Sequence, residues 1–178
     1  MKQSVDYILK SIEKTLEEEA EDTTKFVDHI IDSKKVFIYG VGRSGLIAKA
    51  FAIRLVQMGL EVFFIGETIT PIVEEGDLVV IVSYTGETMS AIQTANIVRR
   101  VGAKVVTITA NDHSKLSGAS NIVIMIHPPK DEDRKRLAPL GTLFEDATLI
   151  YLDGIVALLM EKLGQSEGSM RRRHAIWV

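Results

Sequence analysis

The chain has 178 residues, 46% of them hydrophobic and 25% charged, with a formal net charge of -3 and no cysteine. That length suits one domain with a substantial core, and the mild acidity argues against nucleic-acid binding as the main role. Without cysteine, disulfides, thiolate catalysis and Cys-based metal sites are excluded.

No stretch approaches the roughly 18 apolar residues a membrane span needs. The opening MKQSVDYILKSIEK carries no apolar signal region, so a cytoplasmic location is expected. Val5, Ile8, Ile12 and Leu16 recur at helical spacing beside an acidic face that includes Glu13, Glu17, Glu18, Glu19 and Glu21, which predicts an amphipathic helix. Thr23 or Thr24 is placed to cap a second helix with Phe26, Val27, Ile30 and Ile31 inward. These leading helices, residues 1–33, either cover a sheet or pack against a second subunit.

Val36 to Tyr39 reads as the first strand, and Gly40-Val41-Gly42-Arg43-Ser44-Gly45 as the turn into a helix with Ala48, Phe51, Ala52 and Leu55 inward. The turn matches G-x-G-x-x-G, in which glycines allow the backbone to approach a phosphate or sugar and the helix to touch the strand. A nicotinamide-binding reading would add an acidic residue after the next strand, Glu61 to Ile65, and Glu67 stands there.

Leu78 to Val82 is a continuous β-branched run, the mark of a strand buried on both faces of a parallel sheet. Ser83, Thr85 and Thr88, with Gly86 between them, then lead into a helix bearing Met89, Ile92, Ala95 and Val98. A hydroxyl-rich loop at a strand's carboxyl end and a helix's amino end favours an anion. With no Lys or Arg and no Gly-Lys-Ser/Thr ending, it suits a phosphomonoester better than a nucleoside triphosphate. The structural alternative is that Thr88 caps its helix while Ser83 and Thr85 fill a turn.

The helix from Met89 to Val101 stops at Gly102, and strands follow at Lys104 to Thr109 and Asn121 to Ile126. Alternating strands and helices predict a single α/β domain over 1–178: a three-layer αβα sandwich on a mostly parallel sheet of about five strands, residues 34–178 forming core and tail. Residues 127–136 are densely charged and read as an exposed loop. Thr142 opens the longest helix, apolar around much of its circumference and so expected against both the sheet and another subunit. Thr142-x-x-Glu145 has the form of a capping box. A carboxylate in an apolar setting can equally serve as a base with a raised pKa, and the spacing leaves both open.

Two successive strands ending in GVGRSG and SYTGET resemble the sugar isomerase (SIS) domain, in which a Ser/Thr-rich loop binds the phosphate of a phosphosugar. With Gly66-Glu67-Thr68-Ile69-Thr70-Pro71, the APLGTLFEDATLIYLD helix start and the RRRHAIW tail, the chain from Val36 to Trp177 is similar to the 6-phospho-3-hexuloisomerases of that family. The resemblance implies a cofactor-free, metal-free isomerase acting on a small phosphosugar, usually a tetramer; charge and hydropathy already argue against nucleic acid or membrane as partner. It implies that Ser83, Thr85 and Thr88, with the backbone at Tyr84, Gly86 and Glu87, grip the phosphate, and that Gly42, Arg43 and Ser44 face the substrate. Glu145 becomes the base and His174 the acid, the tail reaching toward a neighbouring subunit's site. Set aside the family and Arg43 is a surface residue, Ser44 a helix cap and His174 a solvent-exposed side chain. Two rival functions stand beside this one: a phosphosugar-sensing module, which would need an output domain, and a nicotinamide oxidoreductase, which would need a substrate domain.

Overall fold

A computed structural model describes residues 1–17 and 20–174. Five strands, β1 (Val36–Gly40), β2 (Val62–Phe64), β3 (Leu78–Val82), β4 (Lys104–Thr109) and β5 (Ile122–Met125), form one sheet in the order β2-β1-β3-β4-β5. All four pairings are parallel. The central strand β3 is buried along its whole length, as its unbroken apolar run requires. Leu78, Val80 and Val82 face one core while Val79 and Ile81 face the other, the alternation that a pleated strand imposes.

The larger core lies under α1 (Lys2–Thr15), α2 (Thr23–Asp32), α3 (Gly42–Gln57) and α7 (Thr142–Lys162). Phe26, Ile30, Leu55, Phe144 and Leu159 are buried there. The smaller core lies under α4 (Met89–Arg100) and the short α5 (Lys115–Gly118). Of the two roles open to the leading helices, packing within the chain is seen: both α1 and α2 lie against α7. A last short helix, α8 (Glu167–Arg172), rests on α3. Among the described residues, no helix is long and apolar enough to cross a membrane.

The connection β1–α3–β2 covers one face of the sheet and β3–α4–β4 the other, so the winding reverses between neighbouring strands β1 and β3. Such a switch point opens a crevice at the strands' carboxyl ends. Gly40 pairs with Val82, and the two following loops therefore leave the sheet at the same height.

Some sequence expectations fail locally. The segment 127–136, expected as an exposed loop, is largely exposed but is not all loop: its last residues enter the short helix α6 (Arg134–Leu137). Neither Thr23 nor Thr24 caps α2; its N-cap is Asp22, and Thr23 instead donates to the Ala20 carbonyl and bonds the Tyr151 hydroxyl.

Candidate active site

The first loop turns on Gly42, whose φ of +59° is a left-handed conformation that favours glycine. A Cβ on Gly45 would fall 2.5 Å from the Gly40 carbonyl oxygen, so the pair of glycines lets α3 start hard against the end of β1. Val41 is the N-cap. Ser44 is therefore inside the helix, and the capping alternative for it does not hold.

The second loop is pinned from behind. The Tyr84 carbonyl accepts from Ala110 N (3.1 Å) and Thr109 Oγ1 (3.2 Å), and Asn111 Nδ2 donates to the Thr85 carbonyl at 3.2 Å. Gly86 has φ +65°, and a Cβ there would lie 2.0 Å from Ser114 Oγ. These contacts hold the loop over α5, while Glu87 Oε1 accepts from Lys115 N at 3.1 Å. Glu87 thus faces α5 with its side chain.

Thr88 is the N-cap of α4, but its hydroxyl makes no capping bond. It sits 3.3 Å from Ser83 Oγ instead, and Thr85 Oγ1 accepts from Glu87 N. Ala91, in the first turn of α4, where a helix leaves its amides without intrahelical acceptors, borders the same space. A cavity of about 140 Å³ results, lined by Val41 and Ser44 from the first loop and by Ser83, Tyr84, Thr85 and Thr88 from the second. Hydroxyls and a helix's first turn around so small a hollow suit a tetrahedral anion.

Across the first loop stands Glu145, in the first turn of α7. Its side chain is 10% exposed and Arg43 Nε lies 3.2 Å from Oε2. The capping-box alternative is not realised: the N-cap is Gly141, no side chain caps the helix, and Thr142 Oγ1 donates to the Pro139 carbonyl at 2.7 Å. Arg43 also reaches Asp146 Oδ1 (3.0 Å) and Thr142 Oγ1 (3.3 Å). Burial pushes the Glu145 carboxyl above the ordinary carboxylate range; Arg43 opposes the shift and Asp146 adds to it. The Tyr84 ring packs on that of Phe144, centroids 5.1 Å apart, joining the hydroxyl-rich loop to the turn that bears Glu145.

His174 is elsewhere in the chain. It lines a hollow with Arg54, Gln57, Glu167, Met170 and Arg171, and the adjacent Arg173 donates to the Gln57 carbonyl. Gln57 ends α3 and Gly42 begins it, a separation of about 24 Å for 16 residues at 1.5 Å each. The rest of the tail, Ala175 to Val178, lies outside the described residues. Glu67, the nicotinamide rival's candidate, is paired with Lys49 at 2.9 Å. Among the described residues no group of three or more His, Asp or Glu is placed to hold a metal ion.

Sequence reasoning missed Gly141, Thr142 and Asp146 as parts of the site. A Cβ on Gly141 would meet the Glu145 carboxylate at 3.1 Å. Asp146 carried one available signal, an acidic residue directly after the candidate base.

Residues 29–147 match the SIS domain family model. A Bacillus subtilis protein named 3-hexulose-6-phosphate isomerase is 40% identical over 159 residues, covering 87% of this chain and 86% of its own. A Methanocaldococcus jannaschii protein of the same name is 34% identical, covering 83% and 79%. Among solved structures, a Methanococcus jannaschii protein for which a molecular function of 3-hexulose-6-phosphate isomerase was inferred superposes with a TM-score of 0.85 at 31% identity, over 98% of this chain and 97% of its own. The two loops at the switch point, the sheet that levels them and the matched residues agree: this chain belongs to the SIS domain family.

Proposed function

We propose that the protein is an intramolecular ketose isomerase that interconverts D-arabino-3-hexulose 6-phosphate and fructose 6-phosphate. The names of relatives at 34% and 40% identity support the substrate. The observation that carries the mechanism is a buried carboxylate, Glu145, set across the first loop from a hydroxyl-lined cavity sized for a phosphate. In this reading Ser83, Thr85 and Thr88, with the amides of the loop, hold the phosphate. The carbon chain then runs past Gly42, Arg43 and Ser44 toward Glu145.

Moving the carbonyl from C3 to C2 requires removal of the C2 proton, an enediolate, and proton delivery to C3, while one hydroxyl proton passes from the oxygen at C2 to that at C3. Glu145, ionised, takes the proton from C2 and, after exchange with solvent, delivers one to C3. The Arg43 guanidinium stabilises the enediolate oxygens as negative charge develops. The net change is internal to the sugar, so neither an electron acceptor nor a second substrate enters the balance.

His174 as acid requires the site of a neighbouring subunit, since its own chain holds it at the far end of α3. Exposed apolar side chains such as Leu46, Ile53, Ile69 and Ile72 support a homo-oligomer, a tetramer on the family resemblance, in the cytoplasm. The test of the reaction is [2-13C]fructose 6-phosphate followed by NMR with no cofactor added. The account expects the labelled carbon to pass from ketose to secondary-alcohol signal. A sensing module would bind the sugar and leave the label where it was.

A further inference from the structure

We infer that Arg134 is a positioning residue for Glu145, clamping the turn from which α7 begins to the loop that lines the anion cavity. The inference rests on the reading of Glu145 as the base. Arg134, half-buried at the start of α6, uses one nitrogen for two acceptors: the Tyr84 hydroxyl at 3.3 Å and the Leu140 carbonyl at 3.1 Å.

Leu140 has a φ of +59° and is the one non-glycine residue with positive φ among those described. A leucine disfavours that conformation, because its Cβ crowds the backbone. Its side chain is 88% exposed, so packing does not hold it there. The contacts that do are those of the backbone: Arg134 on the Leu140 carbonyl, and the Thr142 amide and hydroxyl on the Pro139 carbonyl. The next residue is Gly141, against which the Glu145 carboxylate lies. The orientation of the turn therefore sets the position of the carboxylate, and Arg134 sets the orientation of the turn.

The other end of the clamp is the Tyr84 hydroxyl. Tyr84's ring stacks on Phe144, the residue before Glu145. Its backbone carbonyl has its own anchors in Ala110 N and Thr109 Oγ1, so the cavity keeps its shape without Arg134. Arg134 itself is anchored by its amide, which donates to Asp131 Oδ1, and that oxygen also accepts from Tyr7 of α1.

The test is Arg134→Met, which retains the aliphatic stem, beside Arg134→Lys and Glu145→Gln. Misplacing a catalytic group by about an ångström costs on the order of a hundredfold, and a loosened turn should cost about tenfold in kcat. KM and inhibition by inorganic phosphate should stay within about twofold of the native values, since the hydroxyl loop is anchored separately. Arg134→Lys, which keeps a single multi-donor nitrogen but sets it on a shorter side chain, should fall between. Native kcat in Arg134→Met, or a KM that rises as much as kcat falls, overturns the inference. Should Arg134→Met melt below the assay temperature, the lysine variant decides by the same split. Native turnover in Glu145→Gln would instead overturn the base assignment, a different failure from native turnover in Arg134→Met with an inactive Glu145→Gln.

Discussion

Arg43 Nε stands 3.2 Å from Glu145 Oε2, so the first turns of α3 and α7 meet through an ion pair at the mouth of the β1–β3 crevice. The pair joins a half-exposed cation to a nearly buried carboxylate. Arg43 is held from its other side by Asp146, and the Glu145 carboxylate thus has a fixed direction, against Gly141 and toward Arg43.

Removing the charge while keeping the shape isolates the chemistry. Glu145→Gln should lower turnover by roughly two orders of magnitude or more, the scale of proton-transfer catalysis, with phosphosugar binding nearly intact by calorimetry. Since Glu145 caps no amide, the helix should not suffer. A carboxyl whose folded pKa is raised contributes stability below its unfolded pKa and loses it as pH rises through the folded value. Ionised Glu145 therefore costs stability at neutral pH, and the variant should melt no lower than the native protein.

Arg43 opposes the upward shift of Glu145. In Arg43→Met the carboxyl should titrate still higher, so the acid limb of the kcat/KM profile should move to higher pH as well as the maximum falling. An acid limb that stays in place or moves to lower pH would contradict Arg43 as the charge that keeps Glu145 ionised.

Gly141 has an ordinary negative φ of -89°, so alanine meets no backbone strain there. Its Cβ would nevertheless lie 3.1 Å from the Glu145 carboxylate. Gly141→Ala should displace that carboxylate and reduce kcat about tenfold or more, at a stability cost of about 1 kcal/mol or less. Parallel melting and initial-rate measurements separate the two effects.

The triple variant Ser83→Ala, Thr85→Ala, Thr88→Ala removes the cavity's hydroxyls but not its backbone anchors. KM for the phosphosugar should rise tenfold or more, about 1.4 kcal/mol per decade, and inhibition by inorganic phosphate should weaken in step. An unchanged KM would place the anion elsewhere.

The strands, their parallel order of succession and the hydroxyl loop were legible because each is written in a short run: β-branched residues for β3, Ser and Thr after it, glycines after β1. The setting of the Glu145 carboxylate was not. Thr142 and Glu145 stand at capping-box spacing, but Thr142 bonds the Pro139 carbonyl and Glu145 pairs with Arg43 on another helix. Arg134 lay in a segment whose charge density reads as solvent-facing. The positioning inferred for it depends on Leu140 adopting a conformation that leucine gives no reason to expect. His174 shows the same limit, because the sequence places it near the end of the chain without saying which end of α3 it packs against.

The central claim is that Glu145 moves a proton between C2 and C3 of a phosphate-anchored sugar. Fructose 6-phosphate incubated with the protein in deuterium oxide, without cofactor, tests it most directly. The account predicts deuterium at C3 of the recovered sugar and none at C1, with the exchange lost in Glu145→Gln. Exchange at C1 instead, or C3 exchange at the native rate in Glu145→Gln, would contradict it.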